Sequence, residues 1–308
     1  MKHTLGLLTI VVLCLGQTCD RSTSDSSGPP SGTPADTSTG DGGASSTDGT
    51  NSGNGGDSTP GGTDSGSGNT PAAIVADHQA ASAFDSIPAA TIAAIQARFR
   101  IFYGHTSHGS QIVTGMDMIQ AADARFAFNA ASGTITIQET EGDLGTEGDT
   151  NWVTTTREQL NQAGNTINLV IWSWCGGVSD NTPAGIDAYL QAMSQLERDY
   201  PNVVFVYMTG HLDGTGPDGN LAARNRQIRD YCRTNHKVLF DFADIESYDP
   251  ANNYYPIDSD ACEWCTAWCD THSCPTCGEC AHSHCFNCYR KGQAFWWLLG
   301  RITGWSGG

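Results

Sequence analysis

A serine between two histidines is the feature of this sequence whose chemistry is easiest to state. Residues 104–109 read Gly-His-Thr-Ser-His-Gly, directly after a short apolar segment and before the amphipathic stretch Ile112–Ala122. Ser107 is therefore expected at the N-terminus of a helix, where backbone N–H groups can stabilise an oxyanion. This position favours a nucleophilic serine. The alternatives are a serine that only caps the helix, or a metal bound by His105 and His108.

The same loop resembles the first block of the SGNH (GDSL-type) hydrolase superfamily. Variants in that superfamily read Gly-His-x-Ser-x-Gly, which is matched here by Gly104, His105, Ser107 and Gly109. The resemblance implies that Ser107 is the nucleophile and that it follows the first strand of a flavodoxin-like sheet. The more usual Gly-Asp-Ser block of the family would place Thr106 at the serine position instead.

The resemblance also implies an acid and a histidine near the C-terminus, spaced Asp-x-x-His. Glu279 and His282 have this spacing, with glutamate in place of aspartate. Either carboxylate can orient an imidazole and stabilise its positive charge. We therefore predict that Ser107, His282 and Glu279 form the catalytic set. Other histidines and acids remain alternatives for the last two roles, namely His272, His284, Asp244 and Asp270.

The oxyanion hole of the family is matched less well. Its third block, Gly-x-Asn-Asp, supplies an asparagine, but residues 174–177 read Trp-Cys-Gly-Gly and the next asparagine is Asn181. We predict that the backbone N–H groups of Ser107 and Gly176 form the hole between them. The glycine of the second block remains open among Gly142, Gly145 and Gly148.

Polar residues at the predicted strand ends are candidates for a substrate pocket. The predicted pocket residues are Gly176, His105, His108, His211 and Asp213. For His211 and Asp213 a metal site or a plain turn is an alternative. The tryptophans of this region, Trp152, Trp172 and Trp174, are either sugar-stacking surfaces or core.

Strand-like and helix-like segments alternate from residue 72 onward. Apolar segments predict strands at Arg100–Tyr103, Thr134–Glu139, Asn168–Trp174, Asn202–Met208 and Lys237–Phe242. Helices are predicted at Ile87–Arg98, Ile112–Ala122, Ala184–Asp199, Asp218–Thr234 and Tyr289–Gly304. This order predicts an α/β fold with a parallel sheet covered on both faces. With the resemblance, it implies a flavodoxin-like three-layer sandwich. Ligands of such sheets bind at the carboxyl ends of the strands.

Eight cysteines are concentrated in a polar segment, 258–288, that we predict to be an insertion positioning His282. They are Cys262, Cys265, Cys269, Cys274, Cys277, Cys280, Cys285 and Cys288. Their CxxC spacings would indicate zinc in a cytosolic protein. Export favours disulfides among them instead. We therefore predict no cofactor, with zinc at this cluster as the alternative.

The N-terminal residues predict export. Lys2 and His3 precede the apolar run Leu5–Leu15, which is typical of a secretory signal peptide over residues 1–18. Cys19 then opens a Gly/Ser/Thr/Asp-rich segment, 19–71, which has too few apolar residues to fold and is predicted to be a tether. This arrangement resembles a bacterial lipoprotein lipidated at Cys19. The alternative is an ordinary secretory signal. The α/β domain is predicted over residues 72–308.

These features lead to one functional hypothesis and two rivals. The hypothesis is an exported, surface-tethered esterase that removes acyl groups from carbohydrate. The rivals are a non-catalytic surface binding module on the same fold and a metal-binding protein that uses the histidines and cysteines. The net charge of −18 argues against a nucleic-acid partner. Membrane contact is expected only through the lipid anchor.

Overall fold

The computed structural model describes residues 72–130 and 132–307. The predicted signal peptide, the lipidation site Cys19 and the tether lie outside the described residues. Within them, six strands form one fully parallel sheet in the order β1-β6-β5-β4-β2-β3. The strands are β1 (Ile74–Ala76), β2 (Arg100–His105), β3 (Thr136–Glu141), β4 (Leu169–Trp172), β5 (Val204–Met208) and β6 (Val238–Phe240). The predicted α/β class with a parallel sheet is confirmed.

Helices cover both faces of this sheet. They are α1 (His78–Ser82), α2 (Ala89–Arg98), α3 (Ser107–Ala122), α4 (Asn151–Leu160), α5 (Pro183–Asp199), α6 (Asn220–Thr234), α7 (Phe242–Ser247), α8 (Glu263–Cys269) and α9 (Cys285–Ile302). Short 3₁₀ turns occupy Phe84–Ser86 and Ala124–Phe126. No helix of the described ranges combines the length and hydropathy needed to cross a bilayer.

The sheet supplies the main hydrophobic core. Strand β4 is buried over all four of its residues, as expected for a central strand covered on both faces. The edge strand β3 buries Ile137 and exposes Thr136 and Gln138, the alternation of a strand with one solvated face. Trp152, Trp172 and Trp174 are 2–3% exposed. They are core residues, and the sugar-stacking alternative for them is wrong.

A close contact between α3 and α9 fixes the helix that carries Ser107. Gly115 on α3 faces Gly292 on α9, and a Cβ built on Gly115 would lie 1.9 Å from the carbonyl oxygen of Cys288. Only glycine permits this approach of two helix backbones. Cys288 is also disulfide-bonded to Cys280. The same contact therefore connects α3 to the cysteine-rich segment.

Candidate active site

Ser107 lies at the rim of the sheet where the carboxyl ends of the strands are found. Strand β2 ends at His105 and α3 begins at Ser107, with Thr106 as an extended N-cap. The Thr106 hydroxyl does not cap the helix but donates to Asp143 at 3.4 Å. The first N–H groups of a helix have no acceptor within the helix itself. The first turn of α3 therefore directs backbone donors toward the neighbourhood of the serine hydroxyl.

The structure brings Ser107 and His282 together. Nε2 of His282 lies 2.9 Å from Oγ of Ser107, although the two residues are 175 positions apart in the chain. A hydroxyl at this distance from an imidazole nitrogen can donate its proton to the ring. His282 has a left-handed backbone conformation with φ of +59° and its side chain is exposed. A non-glycine residue adopts this conformation at a cost, so the surrounding structure must maintain it.

Disulfides hold the loop that carries His282. All eight cysteines of segment 258–288 are paired, as Cys262–Cys265, Cys269–Cys274, Cys277–Cys285 and Cys280–Cys288. The prediction of disulfides in this segment is confirmed. A disulfide sulfur is not a thiolate ligand, so zinc at this cluster does not fit the observed pairing. The last two disulfides enclose His282 between their cysteines.

A second link to this loop comes from α3 itself. Gln111 is fully buried, and its Nε2 donates to the carbonyl oxygen of Ala281 at 2.6 Å. The Gln111 Oε1 accepts from the buried ammonium of Lys291, which also pairs with Glu246. Glu246 in turn accepts from the backbone N–H of Leu212 at 2.7 Å. This buried network reaches the residue before His282 and the residue after His211.

Three imidazole rings are stacked beside Ser107. The ring of His108 lies 3.8 Å from the ring of His211 and 4.5 Å from that of His282, with interplanar angles of 4° and 19°. His108 Nε2 donates to the carboxylate of Asp260 at 2.9 Å, and His211 Nδ1 donates to the Leu212 carbonyl at 2.7 Å. We name this set the histidine stack: His108, His211, His282 and the carboxylate of Asp260.

Burial sets the charge state in the centre of the stack. Desolvation lowers the pKa of His108 below its ordinary value, and the neighbouring histidines add to this effect while Asp260 opposes it. Burial alone would raise the pKa of Asp260. The hydrogen bond from His108, together with the neighbouring imidazoles, outweighs that effect, so the Asp260 pKa lies below its ordinary value. Near neutral pH, a neutral His108 therefore faces an ionised Asp260.

The stack does not have the geometry of a metal centre. Ligand atoms of His108, His211 and Asp260 lie within 4.8 Å of one another, which is close enough for a cation. An imidazole binds a metal through a lone pair in the plane of its ring. The rings of His108 and His211 lie in nearly parallel planes, so their lone pairs cannot converge on one ion.

Gly176 follows Cys175 in the chain, and Cys175 lies beside Ser107. The Sγ of Cys175 is 3.7 Å from Oγ of Ser107, and a Cβ built on Gly176 would meet no atom within 4 Å. The backbone at Gly176 therefore faces open space close to Ser107. Gly177 packs on Gly145, where a Cβ would lie 2.0 Å from the Gly145 carbonyl oxygen. Of the three candidate second-block glycines, Gly145 is the one in contact with this loop.

Asn181 does not reach the serine. Its Nδ2 donates to the carbonyl of Gly177 and its Oδ1 accepts from the N–H of Thr182. Its side chain is buried in these contacts. Asn181 therefore does not supply a side-chain donor to an oxyanion at Ser107.

Two predicted pocket residues lie in other contacts. His105 pairs with Glu139 on the neighbouring strand at 2.9 Å. Asp213 accepts from the N–H and the hydroxyl of Thr215, the arrangement of a turn. Asp213 also lines a cavity of about 110 Å³, together with Arg229 and Asp244.

Glu279 is not brought to His282. Its side chain is exposed, and no hydrogen bond or ion pair joins it to the histidine within the described ranges. The alternatives named from the sequence are placed elsewhere as well. His272 stacks on Trp268, His284 caps α9, and Asp244 pairs with His78. Asp270 ends α8 as its C-cap.

Asp260 and Gln111 are the residues that the sequence reasoning missed. Asp260 precedes the first cysteine of the segment by two positions, and nothing in that spacing indicates a contact with His108. The role of Gln111 could have been predicted from its spacing from Ser107. Gln111 follows Ser107 by four positions, so a helix starting at Ser107 places both side chains on one face.

Comparison with known proteins adds a distant likeness to solved structures. No family model matches the chain, and no curated protein matches it. Among solved structures, the fold is similar to that of a protein from Bacteroides fragilis NCTC 9343, provisionally described as an acylhydrolase. That match has 11% sequence identity and a TM-score of 0.32, and it covers 53% of this chain and 78% of the other.

Proposed function

We propose that this protein is a serine hydrolase that cleaves acyl esters, with Ser107 as nucleophile and His282 as general base. The observation that carries the proposal is the 2.9 Å distance between Nε2 of His282 and Oγ of Ser107, the first residue of α3. A Ser–His pair alone occurs in many hydrogen-bond networks. Here it lies at a helix N-terminus and at the strand ends, where parallel α/β sheets bind their ligands.

The reaction follows from the placement of these groups. His282 Nε2 takes the hydroxyl proton of Ser107 while Oγ attacks the ester carbonyl carbon. Negative charge then develops on the carbonyl oxygen, and backbone N–H groups of the first turn of α3 and of Gly176 stabilise it. The imidazolium returns its proton to the departing alcohol oxygen. Water then attacks the carbonyl carbon of the acyl-serine with His282 again as general base, which releases the acid and restores the Ser107 hydroxyl.

The proposed substrate is an acyl ester on carbohydrate. This choice is supported by the resemblance of the Ser107 loop to SGNH hydrolases and by the predicted export, since an exported enzyme meets polysaccharides. The four disulfides of segment 258–288 favour an oxidising compartment. We further propose that the chain is anchored through a lipid on Cys19.

Labelling with a fluorophosphonate tests the reaction directly. The reagent phosphonylates an activated serine, and peptide mass spectrometry identifies the modified residue. We expect one adduct, on Ser107, which is lost in Ser107→Ala and reduced at least a hundredfold in rate in His282→Gln. Ser110→Ala is the matched control, because Ser110 lies in the same helical turn and its hydroxyl donates to the backbone carbonyl of Ser107, not to its side chain. Absence of any adduct on oxidised, folded protein would contradict the proposal.

The substrate class needs a separate measurement. Acetate release is followed from acetylated xylan and from p-nitrophenyl acetate, with Ser107→Ala as the blank. Turnover of both supports a carbohydrate esterase. Turnover of p-nitrophenyl acetate alone would support the serine hydrolase but contradict the carbohydrate ester as its substrate.

A non-catalytic binding module on the same fold is the second candidate. One observation favours it: Asn181 is fully engaged in its own loop, so no side-chain donor from the third-block position serves an oxyanion. The labelling experiment separates the two candidates. Binding of acetylated xylan without adduct formation at Ser107 would support the module.

A further inference from the structure

His282 lacks the carboxylate that a histidine base ordinarily has beside it. Its contacts within the described ranges are the hydroxyl of Ser107 and the ring of His108. A base that removes a proton from serine must keep its ring in one orientation, and it must tolerate the charge it gains. Glu279, the acid expected from the sequence, is exposed, and it neither orients the ring nor stabilises its charge.

The histidine stack supplies a fixed surface for the ring. His108 is 5% exposed, and its own ring cannot turn without losing the 2.9 Å hydrogen bond to Asp260. His211 covers the ring of His108 at 3.8 Å, and its Nδ1 is bound to the Leu212 carbonyl. The exposed ring of His282 thus rests on a buried ring that is held by a carboxylate.

The charges around His282 are suited to a proton transfer. Ser107 and His108 from α3 contact it directly, and His211 from the loop after β5 and Asp260 from the loop before α8 lie on the far side and at the edge of the His108 ring. Burial keeps His108 neutral by lowering its pKa. An imidazolium at His282 therefore meets a neutral ring rather than a second cation, and the negative charge of Asp260 lies at the Nε2 edge of that ring.

We propose that Asp260 is a positioning residue that acts through His108, holding the ring of His282 against Ser107 and stabilising the proton it receives. This inference rests on the proposed function. Asp260 takes the place of Glu279 as the acid of the site, and it does so through a second imidazole rather than by direct contact with the base.

The test compares two carboxylates that are each changed to their amides. Asp260→Asn removes the charge but keeps an oxygen that can accept from His108, and Glu279→Gln is the matched control. The probe is p-nitrophenyl acetate, with the rate of fluorophosphonate labelling at Ser107 as a second readout. We expect Asp260→Asn to lower kcat roughly tenfold to hundredfold with KM changed less than twofold. Glu279→Gln should leave both constants unchanged, and Asp260→Glu should recover part of kcat.

A structural role for Asp260 would look different. A variant that merely loosened the rim would lower the melting temperature and raise KM along with any loss in kcat, and Asp260→Glu would not restore the rate. Full kcat in Asp260→Asn, or loss of kcat in Glu279→Gln alone, would overturn the inference while leaving the serine hydrolase intact. Failure of the wild-type protein to react with either probe would overturn the proposed function and this inference together.

Two measurements on the wild-type protein keep the inference falsifiable if Asp260→Asn does not fold. Two-bond ¹⁵N–¹H correlation spectra at pH 7 should show His108 as the neutral Nε2–H tautomer, because that nitrogen donates to Asp260. The Nδ1–H tautomer would overturn the assignment. Activity should also survive dialysis against EDTA. Loss of activity that Zn²⁺ restores would instead make Asp260 and His108 metal ligands.

Discussion

Gln111 lies one helical turn after Ser107 and donates a 2.6 Å hydrogen bond to the carbonyl of Ala281, the residue before His282. The helix that carries the serine therefore also holds the loop that carries the histidine. Lys291 binds the Gln111 Oε1, and this contact turns Nε2 toward Ala281. The amide orientation is fixed by a buried charge.

Gln111→Glu should weaken the connection between α3, which carries Ser107, and the loop that carries His282. The variant keeps an acceptor for Lys291 but loses the donor to Ala281, so the His282 loop loses its tie to α3. We expect the fluorophosphonate labelling rate at Ser107 to fall about tenfold or more, since small displacements of a base are costly in rate. The melting temperature serves as the control for folding. An unchanged labelling rate would show that the disulfides alone hold the loop.

Disulfides that enclose His282 should matter more for the reaction than those that do not. Removal of Cys280–Cys288 by a double change to serine leaves Cys277–Cys285 as the one remaining disulfide around the His282 loop, so labelling of Ser107 should slow at least tenfold. Removal of Cys269–Cys274 is the matched control, because that disulfide closes a loop without His282. Loop-closure entropy predicts a loss of about 2 kcal/mol in the free energy of unfolding for either variant.

The comparison is decided by labelling rate and denaturant unfolding measured on the same preparations. Similar losses in stability with unequal losses in labelling would support a positioning role for Cys280–Cys288. Equal losses in labelling would mean that the cysteine-rich segment acts as one unit.

The sheet was largely predictable because each central strand carries its own signal. A strand buried on both faces, such as Leu169–Trp172, must be apolar throughout, and this pattern is visible without any partner. The sequence does not predict strand Ile74–Ala76, because three residues are too few to show a period. Its burial depends on pairing with Val238–Phe240, which lies far away in the chain.

Residues of the site were predictable only where their position between neighbouring strands and helices determines their role. Ser107 follows a strand and starts a helix, and both facts can be read from neighbouring residues. The spacing of Glu279 from His282 predicts an acid–histidine pair, but that spacing does not determine where each side chain points inside a loop closed by disulfides. Eight cysteines allow about a hundred pairings. The contact of Asp260 with His108 depends on which pairing forms.

The buried pair of Lys291 and Glu246 should make a large contribution to stability. Both side chains are fully buried, and burial lowers the pKa of Lys291 while Glu246 opposes that effect. Lys291→Met leaves the Glu246 carboxylate buried without its cation, so we expect a loss of about 3–5 kcal/mol in the free energy of unfolding. Adding Glu246→Gln should recover part of this loss in denaturant titrations.

Lys237→Met is the matched control for that prediction. Lys237 pairs with Glu197, but both side chains retain contact with solvent. Partly exposed pairs contribute little, so the loss should be about 1 kcal/mol or less. Equal losses for Lys291→Met and Lys237→Met would contradict the assigned importance of burial.

The pair of His78 and Asp244 should make stability depend on pH. Burial alone would lower the pKa of His78, but the 2.5 Å hydrogen bond and the charge of Asp244 outweigh it and raise the pKa. The same pair lowers the pKa of Asp244 despite burial of that carboxyl. The stabilisation by His78 is therefore fully present below the unfolded histidine pKa of about 6.5. It is lost as the pH rises through the higher folded value.

Urea unfolding of the wild-type protein and His78→Gln, with disulfides intact, checks this sign. The difference in free energy of unfolding should be larger at pH 5.5 than at pH 8.5, because only the protonated ring forms an ion pair with Asp244. In an Asp244→Asn background the same His78→Gln change should lose this pH dependence. A wild-type difference that is equal at both pH values would mean that His78 stays neutral in the folded protein and contributes through its hydrogen bonds alone.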